Sequence, residues 1–75
     1  MIVVEYKKKK KSLEIHFDGE GLADLQKFLA EARSYGHVHL ASPAWAGTEL
    51  SKEKQNMDPN DQIEVLNMMT FRYAK

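Results

Sequence analysis

The sequence predicts a small α+β domain, and three observations carry that expectation. Two short runs, Ile2 to Tyr6 and Leu13 to Phe17, place apolar residues at a period of two, the second alternating with polar ones more cleanly. One longer run repeats Leu22, Leu25, Phe28, Leu29 and Ala32 at helical spacing. The stretch from Ile63 to Tyr73 returns to a period of two. The expected architecture is a four-stranded, mostly antiparallel sheet with one helix packed on one face. The elements run in ββαββ order, as a single domain across residues 1–75.

In the first strand Ile2, Val4 and Tyr6 alternate with Val3 and Glu5; in the second Leu13, Ile15 and Phe17 alternate with Glu14, His16 and Asp18. Five lysines, Lys7 to Lys11, separate them, so a hairpin with its charge near the tip is expected. No Asn-Gly or other tight-turn pair fixes its register. Asp18 is the expected N-cap of the helix, with Glu20 and Asp24 placing negative charge near its start. The apolar stripe should face the core, and Gly36 should end the helix. His37 to Ala41 reads as the third strand, with Val38 and Leu40 on one face and His37, His39 and Ala41 on the other.

A connection of about twenty residues follows, long enough that something within it should be ordered. Thr48 to Ser51 suggests a short strand, Lys52 to Asn56 a helical turn, and Asp58-Pro59-Asn60-Asp61 a reverse turn. The last strand carries Ile63, Val65, Met69, Phe71 and Tyr73 on one side, with Asn67 interrupting the series. A single helix cannot cover both faces of such a sheet, so the second face must be solvated, paired or bound.

Composition narrows the function classes. The chain has no cysteine, which removes disulfides and cysteine-based zinc sites. Its hydrophobic fraction of 43% is that of a folded chain, and no apolar run is long enough to span a membrane. The apolar residues precede the lysines, the reverse of a secretory signal, so a cytoplasmic location is expected. Eleven basic residues balance eleven acidic ones, but the balance is polarised. From Ser12 to Lys75 there are six basic and ten acidic residues, an acidic body beside one basic spot.

Four groupings are candidate sites. His37 and His39 share a strand face where a metal could bind, with His16 as a third ligand, but no HExxH pattern or defined carboxylate accompanies them. No metal or other cofactor is therefore assigned. Lys7, Lys8, Lys9, Lys10 and Lys11 form an alternative anion- or RNA-binding site, which the mostly acidic helix and the lack of a base-stacking pattern disfavour. His39, Ser42 and Glu49 lie close in sequence, yet no nucleophile motif surrounds them, and the chain is not expected to be an enzyme. Trp45, the one tryptophan, sits between Pro43 and Gly47, where it caps the core, anchors a protein partner beside Glu49 and Glu53, or does both.

The order of features resembles the immunity-protein-32 family of bacterial polymorphic toxin systems. Phe17-Asp18 ends a strand, Gly21-Leu22 opens a helix, and His37 to Leu40 forms a histidine-bearing strand. Pro43 through Leu50 then supply a Pro-Ala-Trp-x-Gly-x-Glu-Leu turn. The likeness covers Leu13 to Tyr73, with Trp-Ala-Gly-Thr-Glu-Leu its most distinctive piece; the lysine run lies outside it. Members of such families protect the producing cell by binding a toxin encoded beside them. The resemblance implies a cognate protein toxin as partner, and it points to His39, Trp45, Gly47 and Glu49. Many such toxins are basic nucleases, for which an acidic body is an electrostatic match. Self-association into a homodimer through exposed strand edges is a further expectation; a membrane partner is not.

Overall fold

The computed structural model describes residues 1–57, 60 and 62–74. The α+β class holds. Strands β1 (Ile2–Lys7) and β2 (Ser12–Phe17) precede helix α1 (Gly19–Tyr35), followed by β3 (His37–Ala41), a 3₁₀ turn (Pro43–Trp45), β4 (Ile63–Val65) and β5 (Met68–Arg72). The expected single sheet is instead two antiparallel sheets, β2-β1-β4 and β3-β5. The expected last strand is two strands, because the chain changes sheets at Leu66-Asn67. Leu66 N–H donates to the Val4 carbonyl at 2.8 Å, on the first sheet. The Asn67 carbonyl then accepts from Ser42 N–H at 2.8 Å, beside the second.

The hairpin forms as expected, with Lys7 opposite Ser12 and Lys8 to Lys11 in the turn. Asp18 caps α1 by accepting from Gly21 N–H at 2.8 Å. Gly36 ends it at φ 91°, a left-handed conformation that favours glycine. Gly21 is buried where the helix start meets β1, and a Cβ there would collide with the Met1 carbonyl.

The core lies between the sheets and the helix. Ile2, Val4, Leu25, Leu40 and Leu50 form its centre, with Phe28, Val38, Leu66, Met69 and Phe71 packed around them. The helix stripe is only partly core. Helix α1 packs mainly on β3 and β5 and less on β2, so Leu22 and Leu29 stay exposed while Leu25 and Ala32 are buried. The same lean leaves Leu13, Ile15 and Phe17 of β2 uncovered.

Neither the short strand at Thr48–Ser51 nor the helical turn at Lys52–Asn56 forms. Leu50 and Ser51 each make a single backbone bond across, to Ala41 at 3.1 Å and Ile2 at 2.8 Å. Beyond them, Gln55 and Asn56 N–H groups are taken by the Glu5 carboxylate, which denies them to helix carbonyls. This extended segment lies against the face of β1 that carries Val3 and Glu5, both fully buried. The second sheet face is thus covered here by a loop. Of the expected reverse turn, Asp58, Pro59 and Asp61 lie outside the described residues.

Candidate functional site

The connection after β3 is built on Ser42. Its buried hydroxyl donates to Asn67 Oδ1 at 2.8 Å, which ties the loop to the point where the chain changes sheets. Its carbonyl accepts from Trp45 N–H at 2.9 Å and Gly47 N–H at 3.0 Å. Pro43 presets the backbone of the turn, and Ala46 closes it at φ 61° with its N–H on the Pro43 carbonyl. Gly47 passes so close to Ala41 that a Cβ would strike the Ala41 carbonyl.

Glu49 completes this frame. Its carboxylate accepts from Thr48 N–H at 2.8 Å, Thr48 Oγ1 at 3.1 Å and Ala41 N–H at 3.3 Å. The Thr48 and Ala41 bonds outweigh desolvation and hold its carboxyl below the ordinary range. Glu49 is therefore a brace for the turn. What the turn displays is Trp45, whose side chain is 61% exposed. At that exposure the ring is not one of the buried core residues.

His37 and His39 are exposed on β3, their rings 4.9 Å apart in an edge-to-face arrangement. His39 Nδ1 shares a 2.8 Å hydrogen bond with Thr70 Oγ1 on β5. Glu53 belongs to the extended segment, where its N–H donates to Ser51 Oγ at 3.1 Å. Trp45 and Glu49 are thus built into one turn, while Glu53 stands in a separate stretch with no hydrogen bond to that turn among the described residues. His16 does not join the other two histidines. It lies on β2, in the other sheet, and its Nε2 is 3.1 Å from Glu14 and 3.3 Å from Glu5. His39, Ser42 and Glu49 likewise make separate bonds, to Thr70, Asn67 and the Ala41–Thr48 backbone.

The lysine run is partly engaged at the hairpin. Lys7 Nζ is 3.0 Å from Glu14 and Lys8 Nζ is 3.9 Å from Glu64.

One polar cluster was not foreseen from the sequence. Glu5, Glu14 and His16 bring three ligand-type atoms within 4.8 Å of one another, a set able in principle to hold a cation. The Asn56 amide nitrogen stands among them, 2.6 Å from Glu5, 2.8 Å from Glu14 and 3.4 Å from His16. With Lys7 also on Glu14, the carboxylates are already answered, and the cluster works as a clamp on the extended segment. Burial pushes the Glu5 carboxyl up, but the Gln55 and Asn56 bonds more than reverse it. The Asn56 amide and Lys7 hold Glu14 down at about 2. Its one sequence signal was Glu5, a carboxylate directly after the apolar run Ile2-Val3-Val4, where it reads equally as the polar side of a strand.

Comparison with protein-family models, with curated proteins and with solved structures returns no match for this chain. Among the described residues no enclosed pocket is present, and no helix is long and apolar enough to cross a membrane.

Proposed function

We propose that this protein works by stoichiometric binding to another protein, and that the partner is a cognate bacterial toxin which it occludes. The observation that carries this reading is Trp45, a large aromatic side chain held out from a turn braced by Ser42, Gly47 and Glu49. An indole presented on a fixed backbone loses little freedom on binding, and tryptophan is the side chain most enriched at interface hot spots. His37 and His39 add exposed rings on the preceding strand. The resemblance centred on Pro43 to Leu50 supplies the class of partner. The acidic excess from Ser12 onward favours a basic one.

An anion- or RNA-binding role for the lysine run is the weaker reading, since Lys7 and Lys8 are already paired with carboxylates. Co-expression tests the toxin reading. Cells producing the toxin encoded beside this chain should grow when wild-type protein is present and fail with Trp45→Ala at equal abundance. Growth arrest despite excess wild-type protein would remove the reading.

A further inference from the structure

Strand β2 is an edge strand whose hydrogen-bonding pattern can be worked out. Val4 accepts from Leu66 N–H, and Lys8 N–H donates to the Gln62 carbonyl. The even-numbered residues of this hairpin arm therefore turn their backbone groups toward the β4 side. Val3, Glu5 and Lys7 turn theirs toward β2, opposite His16, Glu14 and Ser12. Alternation along β2 then aims the N–H and C=O groups of Leu13, Ile15 and Phe17 at the outer edge. The same three residues are 54%, 36% and 49% exposed. They continue the face of Val4 and Ile2, their neighbours on β1, and Leu22 and Leu29 of the helix are exposed as well. Natural edges are usually blunted by lysine, proline or a bulge. From Leu13 to Phe17 this one has no lysine or proline, and its ladder with β1 is unbroken.

We infer that a second copy of this chain covers this edge, with β2 pairing antiparallel to β2 about a twofold axis at Ile15. The strand is complementary to itself in that register and in no adjacent one. Outward-facing residues must oppose outward-facing residues, so only shifts of the axis by whole residues remain. An axis at Glu14 sets two Glu14 carboxylates directly opposite, and one at His16 sets Glu14 opposite Asp18; like charges in such positions destabilise a sheet. With the axis at Ile15, Leu13 of one copy faces Phe17 of the other, and Glu14 faces His16. The same register brings the lysine turn of each copy alongside the acidic helix start, Asp18 to Glu20, of the other. Three strands from each copy then form one continuous sheet. The contact is isologous and closed, as a twofold dimer requires. It lies on β2, apart from the Trp45 turn, and does not depend on the toxin reading.

The chain lacks cysteine, so engineered thiols report the register directly. Under mild oxidation Ile15→Cys should form a covalent dimer, because directly opposed Cα atoms at a hydrogen-bonded pair lie ~5.5 Å apart. Leu13→Cys alone and Phe17→Cys alone should not, since four residues separate each from its own copy, roughly 13 Å. A mixture of those two variants should cross-link. Without oxidant, sedimentation equilibrium of the wild type should give twice the 8.6 kDa chain mass at high concentration. Ile15→Lys should raise the dissociation constant at least tenfold while keeping the far-UV circular dichroism spectrum. A monomer at every concentration would overturn the inference. So would cross-links centred on another residue, or a dimer indifferent to a folded Ile15→Lys variant. If Ile15→Lys fails to fold, the cross-linking pattern alone decides.

Discussion

Replacing Asn56 by alanine should cost this domain a large share of its stability, and the cost should depend on pH. Asn56 Nδ2 donates to Glu5 at 2.6 Å, and the Glu5 side chain is fully buried. A hydrogen bond to a charged group contributes about 1.5–3 kcal/mol, and its loss leaves a buried carboxylate with the Gln55 and Asn56 backbone donors and the His16 ring 3.3 Å away. Chains of this length have net stabilities of roughly 4–11 kcal/mol. Asn56→Ala should therefore remove about 2–3 kcal/mol, lowering the melting temperature by roughly 8–24 °C. The pH dependence has a definite sign. Glu5 and Glu14 both have folded-state values below the ordinary 4.5, Glu14 at about 2. Their stabilisation is fully present above about pH 4.5 and is lost as the pH falls through their depressed values, about 2 for Glu14. Because Asn56 is among the causes of both depressions, the gap between wild type and Asn56→Ala should be widest near neutral pH and shrink below about pH 4. Thermal melts followed by far-UV circular dichroism from pH 7 to pH 2.5 measure both effects. A variant melting within about 2 °C of wild type at pH 7, or a gap that widens in acid, would refute the clamp.

Other substitutions separate the frame of the Trp45 turn from what it displays. Gly47→Ala forces a Cβ into the Ala41 carbonyl and should cost about 1–3 kcal/mol in urea denaturation. Gly19→Ala meets nothing within 4 Å and should be neutral or stabilising by up to about 1 kcal/mol. Ser42→Ala removes the 2.8 Å bond to Asn67 and should lower stability by about 1–2 kcal/mol in the same assay. Trp45→Ala, being at an exposed position, should shift stability by no more than about 0.5 kcal/mol, so that any loss of binding is not a loss of fold.

The elements governed by local chemistry were legible in the sequence. Asp18 and Gly36 bracket α1 because capping and left-handed termination are properties of single residues. The hairpin followed from two period-two runs, the second the cleaner, even though its turn has no strong signal. What was not legible depended on long-range choices. Asn67 interrupts the period-two series at this point, but nothing local announced that Ser42 would capture it and divert the chain to a second sheet. The stripe of α1 has five apolar positions, yet the lean of the helix toward β3 and β5 decides that Leu22 and Leu29 remain open. Glu5 looked like the polar side of a half-solvated strand and is instead buried beneath a segment that bonds to it from fifty residues away. In the site, the sequence singled out Trp45 and Glu49 together. Only the structure divides them into a displayed ring and the carboxylate that braces its turn.

The central claim is that Trp45 is a contact residue for one protein partner. Isothermal titration of the proposed toxin partner, with wild type and Trp45→Ala in parallel, puts that claim to a number. The account requires one-to-one binding by the wild type, and a loss of at least about 2 kcal/mol in the folded variant. Equal affinities for the two proteins, or no heat of binding from the wild type, would contradict it.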